Sequence, residues 1–203
     1  MIIHDMPQYS EEWWAIRRGL PTASGANKLL TPTGKLSAQS DGYLNELLAE
    51  RAGFGDPPID PTEWMLRGLM LEPEARAWFE LETGFMVREV GFITTDDGRA
   101  GCSPDGLLAD PLAYLPIGLE IKCPKASTHF SYLRGGILPP YYAPQVHMSL
   151  VVTGAASWWF LSYFPGLEPL LLEVKPDSYT KAVAAALDEF TDRLAKEAAR
   201  FGL

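Results

Sequence analysis

"AGCSPDGLLADPLAYLPIGLEIKCPKAS", residues 100–127, is the stretch of the sequence that decides the fold. Its second half contains the apolar run "IGLEIKCP", which predicts a strand. Side chains alternate along a strand, so Glu120 and Lys122 project to one face while Leu119 and Ile121 project to the other. Taken alone, this pattern is typical of the solvated face of a half-buried strand. A cleft that uses both charges is the alternative.

A second carboxylate, Asp105, lies in the turn "SPDG", fifteen residues before Glu120. If the segment "RAGCSPDGLL" pairs as an antiparallel neighbour of the Glu120 strand, the two carboxylates converge. Carboxylates a few ångströms apart raise each other's pKa unless a cation neutralises them. Mg²⁺ suits such an all-oxygen site because it keeps waters and accepts phosphate oxygens. The ammonium of Lys122 can then orient an attacking water or neutralise charge in a phosphoryl transition state. An ion pair at a sheet edge is the simpler alternative.

The pattern of the whole chain predicts one mixed α/β domain. Short helices are expected in "SEEWWAIRRG", "TASGANKLL" and "SDGYLNELLAERAG", within about 10–53, and a long helix carrying Glu72 over about 62–83. Strand-like segments follow at 85–95, 99–108 and 117–124, then helices near 126–134 and 141–152, two strands, and a C-terminal helix over about 177–201. This order predicts a mixed central β-sheet of about five strands flanked by helices, with a core over about 62–175 and no dividing linker.

Composition and charge exclude several classes of protein. The 203 residues are 47% hydrophobic and 21% charged, as in a globular protein. No apolar run long enough for a bilayer and no secretory signal is present, which predicts a cytoplasmic protein without a membrane partner. Cys102 and Cys123 are too few for a disulfide framework and lack the spacing of a zinc site. The net charge of −9 argues against nonspecific polyanion binding by the whole surface but leaves room for a local basic pocket.

Several segments together resemble one known family of nucleases. The segments "RGLMLEPEARAWFELETG", "GCSPDGLL", "GLEIKCP", "YYAPQVHMSLVVTG" and "SWWFLSYFP" occur in one order at compatible spacing, and the resemblance runs from about Trp13 to the final helix. This set resembles the phage lambda exonuclease family, also called the YqaJ-type viral recombinases, within the PD-(D/E)xK nuclease superfamily. The resemblance implies a restriction-endonuclease-like core and a Mg²⁺-dependent 5′-to-3′ exonuclease. Such an enzyme degrades one strand of double-stranded DNA from its ends to 5′ mononucleotides, and leaves 3′ single-stranded tails for phage recombination by single-strand annealing.

The resemblance also assigns roles to the acidic residues. Asp105 and Glu120 match the two acidic positions of the motif and would bind metal, with the carbonyl of Ile121 as a third ligand. Glu72, in "LEPEAR", matches a helical glutamate that lies beside a second metal ion. Two Mg²⁺ ions for each active site are implied, with Mn²⁺ as an alternative.

Two further positions match residues that act on the nucleophile. Lys122 matches the lysine of the motif and would position or activate the hydrolytic water. Gln145, in "YAPQVH", matches a glutamine on the helix after the core strands, which would help to place the nucleophile or the lysine.

The segment "WWAIRRGLPTASGANKLL" resembles the part of the family that receives the 5′ phosphate of the DNA end. Arg17 is the better match for the family's arginine, with Arg18 a near alternative, and Ser24 matches its serine. Ser103, beside the acidic cluster, resembles a phosphate contact near the scissile bond. A guanidinium forks onto two phosphate oxygens, and a hydroxyl at a helix start adds a donor where the dipole favours an anion. Solvated arginines that cap a short helix are the alternative.

The resemblance further implies an assembly and partners. It implies a homotrimeric ring whose channel admits 5′-phosphorylated duplex ends, and a partner single-strand annealing recombinase. The protein would be encoded by a phage or prophage and act in the cytoplasm of the bacterial host. Two rival functions remain: an endonuclease of the same superfamily in DNA restriction or repair, and a non-catalytic DNA-binding module.

Overall fold

A five-stranded mixed β-sheet lies at the centre of the computed structural model, which describes residues 1–56, 60, 62–109 and 115–203. The strands are β1 Ile2–His4, β2 Met86–Arg88, β3 Phe92–Thr94, β4 Gly101–Cys102, β5 Gly106–Ala109, β6 Ile117–Lys122, β7 Ser157–Ser162 and β8 Leu170–Val174. The helices are α1 Glu11–Arg17, α2 Ser40–Arg51, α3 Glu63–Thr83, α4 Ala126–Gly135, α5 Ala143–Thr153 and α6 Ser178–Arg200, and a 3₁₀ helix spans Ala23–Lys28. None of the helices in the described ranges combines the length and apolar character needed to cross a membrane.

The central sheet has the strand order β2-β5-β6-β7-β8. Strands β6 and β7 are parallel, and the other neighbours are antiparallel. This arrangement confirms the predicted α/β fold with a mixed sheet of about five strands. A second sheet, β1-β3-β4, was not predicted, because its strands are only two or three residues long and show too little alternation to be recognised.

The prediction that 85–95 and 99–108 each form one strand is wrong. The first segment divides into β2 and β3, and the second into β4 and β5, so that each contributes to both sheets. The first break falls at Gly91, where a Cβ would lie 2.1 Å from the carbonyl oxygen of Met6, because the N-terminal segment crosses there. The second break contains Pro104, which has no N–H group to donate to a strand ladder. Both breaks lie beside the residues that form the candidate site.

Strand β6 has a different environment on each face. Leu119 and Ile121 pack with Phe79 of α3 in one apolar cluster. On the opposite face, Phe160 is paired in register with Glu120 and belongs to the cluster that includes side chains of α5 and α6. Glu120 therefore lies on the face covered by α5, where it is only 2% exposed. The predicted alternation of β6 is confirmed, and its charged face holds a buried Glu120 beside a partly exposed Lys122.

Helix α6 begins with a capping box that also fixes α5. Asp177 accepts a hydrogen bond from the Thr180 backbone N–H, and the Thr180 hydroxyl accepts one from the Asp177 N–H, both at 2.9 Å. His147 of α5 lies 2.8 Å from the same hydroxyl through its Nδ1 atom. The contact holds the helix that carries Gln145 against the C-terminal helix.

Gly118→Ala should lower the free energy of unfolding by about 1–3 kcal/mol through overpacking. The new Cβ would lie 2.3 Å from ring atoms of the fully buried Trp158. Gly42→Ala in α2 is the matched control, because its Cβ would have no neighbour within 4 Å among the described residues. Because alanine is the better helix former, Gly42→Ala should instead raise the free energy of unfolding by about 0.5–1 kcal/mol. Urea unfolding measures both, and equal free energies for the two variants would contradict the close packing of β6 against Trp158.

Candidate active site

Asp105 is held on the backbone of β6 by two hydrogen bonds. Its N–H donates to the carbonyl of Leu119 at 3.0 Å, and its Oδ2 accepts from the N–H of Ile121 at 2.5 Å. Strand β5 begins directly after it and pairs antiparallel to β6, with Gly106 opposite Leu119. The predicted antiparallel pairing is therefore confirmed, and it brings Asp105 beside the charged side chains of β6.

Glu120, Lys122 and Gln145 form a contiguous set. Glu120 Oε1 is in contact with the ammonium of Lys122 and accepts a hydrogen bond from Gln145 Nε2 at 2.5 Å. The Nζ atom of Lys122 also lies 5.3 Å from the centre of the Tyr142 ring, a neighbour that the sequence did not reveal. Gln145 thus contacts the carboxylate rather than the lysine, so any effect of Gln145 on Lys122 passes through Glu120.

Glu72 of α3 is the third member of the acidic cluster, which consists of Glu72, Asp105 and Glu120. Arg76 links Glu72 to Asp105. Arg76 Nη2 donates to Glu72 Oε1 at 2.9 Å and to the Asp105 carbonyl at 3.4 Å, while Nη1 lies 2.6 Å from Glu89. Sequence reasoning missed Arg76, although its position four residues after Glu72 on a helix was an available signal. The arginine fixes both the helical acid and the turn that carries Asp105.

The electrostatics of the cluster favour a bound cation. Burial raises the pKa of Glu120 to about 7 against the opposing effect of Lys122, and the charge of Asp105 adds to the rise. Burial, followed by the charge of Asp105, raises the pKa of Glu72 to about 7 as well, and burial raises the pKa of Asp105. Burial alone would lower the pKa of Lys122, but Glu120 and Asp105 outweigh it and raise that pKa, so the lysine stays an ammonium.

The donor set fits a hydrated Mg²⁺ ion. Among the contacts of the described residues, protein donors engage only one oxygen of Asp105 and one of Glu120, which leaves a second oxygen on each carboxylate. No three His, Cys, Asp or Glu side chains in the described ranges form a ready-made metal cage. Mg²⁺ needs none, because it commonly binds through one or two carboxylates together with waters and phosphate oxygens. A ligand role for the Ile121 carbonyl stays a prediction.

Arg17, Ser24 and Ser103 converge in a polar pocket. Arg17 Nη1 donates to Ser103 Oγ at 3.0 Å and Nη2 to Ser24 Oγ at 3.4 Å. The Arg17 guanidinium lies over the ring of Trp13 at 4.0 Å, and the Trp13 indole N–H donates to Ser103 at 2.9 Å. Arg18 lines the same cavity of about 520 Å³, but it is Arg17 that contacts both serines in the described structure. The geometry thus favours Arg17 over Arg18 for the predicted role in binding a phosphate.

The acidic cluster opens into a larger cavity of about 790 Å³. Glu72, Asp105 and Lys122 line its polar side, and Trp64 and Met65 of α3 line its apolar side. Lys125 lies over the Trp64 ring at 4.4 Å. The cavity therefore combines charged groups with flat apolar surface.

Comparison with known proteins places this site in a family. Residues 12–156 match the family described as the YqaJ-like viral recombinase domain. The chain belongs to this family. The YqaJ-like region contains the predicted phosphate pocket, the acidic turn, β6 and Gln145, and the predicted resemblance is confirmed. No curated protein matches the sequence.

Two solved structures of one alkaline exonuclease are similar to this YqaJ-like chain over nearly its whole length. The crystal structure of an alkaline exonuclease, LHK-Exo, from Laribacter hongkongensis has a TM-score of 0.81 and 30% identity, covering 95% of this chain and 96% of that one. A structure of LHK-Exo in complex with dAMP has a TM-score of 0.72 and 31% identity, covering 95% and 100%. A phage related exonuclease from Haemophilus somnus 129PT, 13% identical with a TM-score of 0.60 and covering 88% and 96%, supports the fold alone. The predicted nuclease-type core is confirmed.

Glu120→Gln should change how the stability of the metal-free protein depends on pH. Glu120 ionises near pH 4.5 in the unfolded chain, whereas its pKa in the folded protein is about 7. Between these values Glu120 holds more protons in the folded state, so its contribution to stability falls as pH rises from about 4.5 to 7 and levels off above. The glutamine removes this contribution. The melting temperature of the wild type should therefore fall relative to that of Glu120→Gln between about pH 5 and pH 8.

Thermal unfolding in the presence of EDTA measures this difference. Glu82→Gln, at an exposed position of α3, is the control and should follow the wild-type curve. If the melting temperatures of wild type and Glu120→Gln change in parallel between about pH 5 and pH 8, folding does not raise the pKa of Glu120.

Proposed function

We propose that this chain is a Mg²⁺-dependent 5′-to-3′ exodeoxyribonuclease. It degrades one strand of double-stranded DNA from a 5′-phosphorylated end, releases 5′ mononucleotides and leaves a 3′ single-stranded tail. The tail then serves phage homologous recombination by single-strand annealing. The proposal rests on family membership and on one feature of the site, the short connection between its two polar pockets.

This connection is the turn from Ser103 to Asp105. Ser103 belongs to the pocket of Arg17, and Asp105 belongs to the acidic cluster. Two residues of chain span at most about 7 Å, a length comparable to one nucleotide of backbone. A 5′ phosphate held by Arg17 and the next phosphate of the strand, placed at Asp105, would therefore belong to the same nucleotide. An enzyme built in this way cuts next to an end and not within a duplex.

Each residue of the acidic cluster has a role in hydrolysis. Asp105 and Glu120 would hold Mg²⁺, with Glu72 and the Ile121 carbonyl as further ligands for a pair of ions, and the metal would neutralise charge on the scissile phosphate. Mn²⁺ has the same ligand preference and is an alternative. Lys122, as an ammonium, orients the attacking water and opposes negative charge in the transition state.

The solved relatives support this reaction class. LHK-Exo is an alkaline exonuclease, and one of its structures contains dAMP, a 5′ mononucleotide of the kind that the proposed reaction releases. The similarity to LHK-Exo spans 95% of this chain.

The proposal includes a homotrimeric ring and a single-strand annealing partner. Met70, Leu81 and Met86 are between 67% and 86% exposed on α3 and the following strand. If these side chains form one contiguous apolar patch, that patch would suit a contact with another copy of the chain. A ring around the DNA would hold the substrate through successive cycles of hydrolysis. Its inner surface would carry the basic pockets, and its outer surface would carry the excess of acidic residues that gives the chain its net charge of −9.

Digestion of labelled DNA tests the proposed reaction. A linear duplex carrying a label at one 5′ or 3′ terminus, and a covalently closed circle, are incubated with Mg²⁺ and either wild type or Lys122→Ala. The wild type should release 5′-labelled mononucleotide from linear DNA alone, and EDTA should abolish release. Lys122→Ala should be slower by about 10²–10³-fold, the loss typical of removing one electrostatic group from a transition state. Lys181→Ala, an exposed position of α6, is the control and should match the wild type.

Each other outcome indicates a different function. Cutting of the closed circle would identify an endonuclease of the same superfamily. Binding of duplex without hydrolysis of either substrate would identify a non-catalytic DNA-binding module. Release from the 3′ label alone would reverse the proposed direction.

A further inference from the structure

Tyr9 has a backbone conformation that its residue type disfavours. Its φ of 67° is the one positive value at a non-glycine position among the described residues. A bulky side chain in this left-handed region is strained, and such residues cluster at binding and catalytic sites. Core packing does not explain the strain, because Tyr9 is 56% exposed.

The residues on both sides of Tyr9 hold this conformation in place. Gln8 Nε2 donates to the Val90 carbonyl at 3.1 Å and to the Pro104 carbonyl at 2.9 Å, so the preceding residue is tied to the turn that carries Asp105. Ser10 follows directly and caps α1 by accepting from the Trp13 N–H at 3.2 Å. The chain therefore has to turn sharply at Tyr9, and the backbone of Tyr9 is held close to the turn that carries Asp105.

The ring of Tyr9 lies between the two polar pockets. One side packs on Trp13, with ring centres 5.1 Å apart, and Trp13 in turn contacts Ser103 and Arg17 of the phosphate pocket. Tyr9 also lines the two cavities that contain Glu72 and Asp105. Burial, then the negative charges of Asp105 and Glu72, raise the pKa of Tyr9, so the phenol is neutral at physiological pH.

We propose that the exposed ring of Tyr9 is the stacking platform for the base of the 5′-terminal nucleotide. This inference rests on the proposed function, since it takes the phosphate pocket and the acidic cluster to bind the two phosphates of one nucleotide. The sugar and base of that nucleotide then lie between the pockets, where Tyr9 presents a neutral aromatic face. Stacking on an aromatic ring accepts every base, as an exonuclease that degrades any sequence requires.

Removal of the base and removal of the ring should have coupled effects. Two duplexes carry a radiolabelled 5′ phosphate, one on an ordinary terminal nucleotide and one on an abasic terminal nucleotide. For the wild type, kcat/KM for release of the first nucleotide should be about tenfold lower on the abasic end, the loss expected when one base no longer stacks. For Tyr9→Gly, the two ends should give equal values, because the platform is absent. Differences in fraying between the duplexes cancel, since each duplex is compared across enzymes.

Two further variants separate the ring from other roles of Tyr9. Tyr9→Phe keeps the ring without the hydroxyl and should keep the wild-type discrimination. Phe201→Ala removes an exposed aromatic ring at the end of α6 and should also leave it unchanged. The melting temperature of Tyr9→Gly should stay within about 2 °C of the wild type, because glycine relieves the left-handed strain while it loses the ring packing.

The outcomes distinguish this inference from the proposed function. If wild type and Tyr9→Gly show the same ratio of kcat/KM between the ordinary and the abasic end, and both release the first nucleotide, the stacking role is overturned and the exonuclease proposal stands. A large fall in melting temperature with an equal loss on both ends would make Tyr9 structural. Loss of discrimination in Tyr9→Phe would assign the effect to the hydroxyl and overturn the stacking role. Failure of the wild type to release a nucleotide from either end would overturn the exonuclease proposal and this inference together.

Discussion

The site depends on two hydrogen bonds between Asp105 and the backbone of β6. They tie the turn "SPD" to the strand that carries Glu120 and Lys122, so two carboxylates distant in sequence become neighbours. The same turn brings Ser103 within reach of Arg17, and its Pro104 carbonyl anchors Gln8. Strand pairing, the acidic cluster, the phosphate pocket and the conformation of Tyr9 are thus linked through three consecutive residues. Loss of this register would separate the two pockets as well as the carboxylates.

The acidic cluster stores electrostatic strain that a cation would relieve. The charge of Asp105 acts on both Glu72 and Glu120, and Arg76 and Lys122 are the nearby positive charges. Burial opposes ionisation of all three acids, since low polarity disfavours an isolated charge. A cluster arranged only for stability would have fewer acids or more complete pairing. Strongly perturbed acids that line a cavity are instead typical of a functional site.

Local pattern was sufficient to predict part of this arrangement. Alternation along "IGLEIKCP" placed Glu120 and Lys122 on one face. Antiparallel pairing of the neighbouring segment was a condition for bringing Asp105 to them, and the structure meets this condition. The division of 85–95 and 99–108 between two sheets was not predictable in this way, because it depends on the N-terminal segment crossing at Gly91. The contacts of Arg76 and the choice of Arg17 over Arg18 depend on tertiary packing. The left-handed backbone at Tyr9 contradicts residue preference, so no propensity argument reaches it.

We propose that one nucleotide connects the Arg17 pocket to the acidic cluster, so that a terminal phosphate directs hydrolysis. The most direct test compares initial digestion of 5′-phosphorylated and 5′-hydroxyl duplexes by wild type and by Arg17→Met, which keeps the apolar stem over Trp13. Wild type should prefer the phosphorylated end by about 10–100-fold, the contribution expected of charge-assisted hydrogen bonds. Arg17→Met should digest both ends at the same slow rate. A wild type indifferent to the phosphate, or a preference that survives the loss of the guanidinium, would contradict the account.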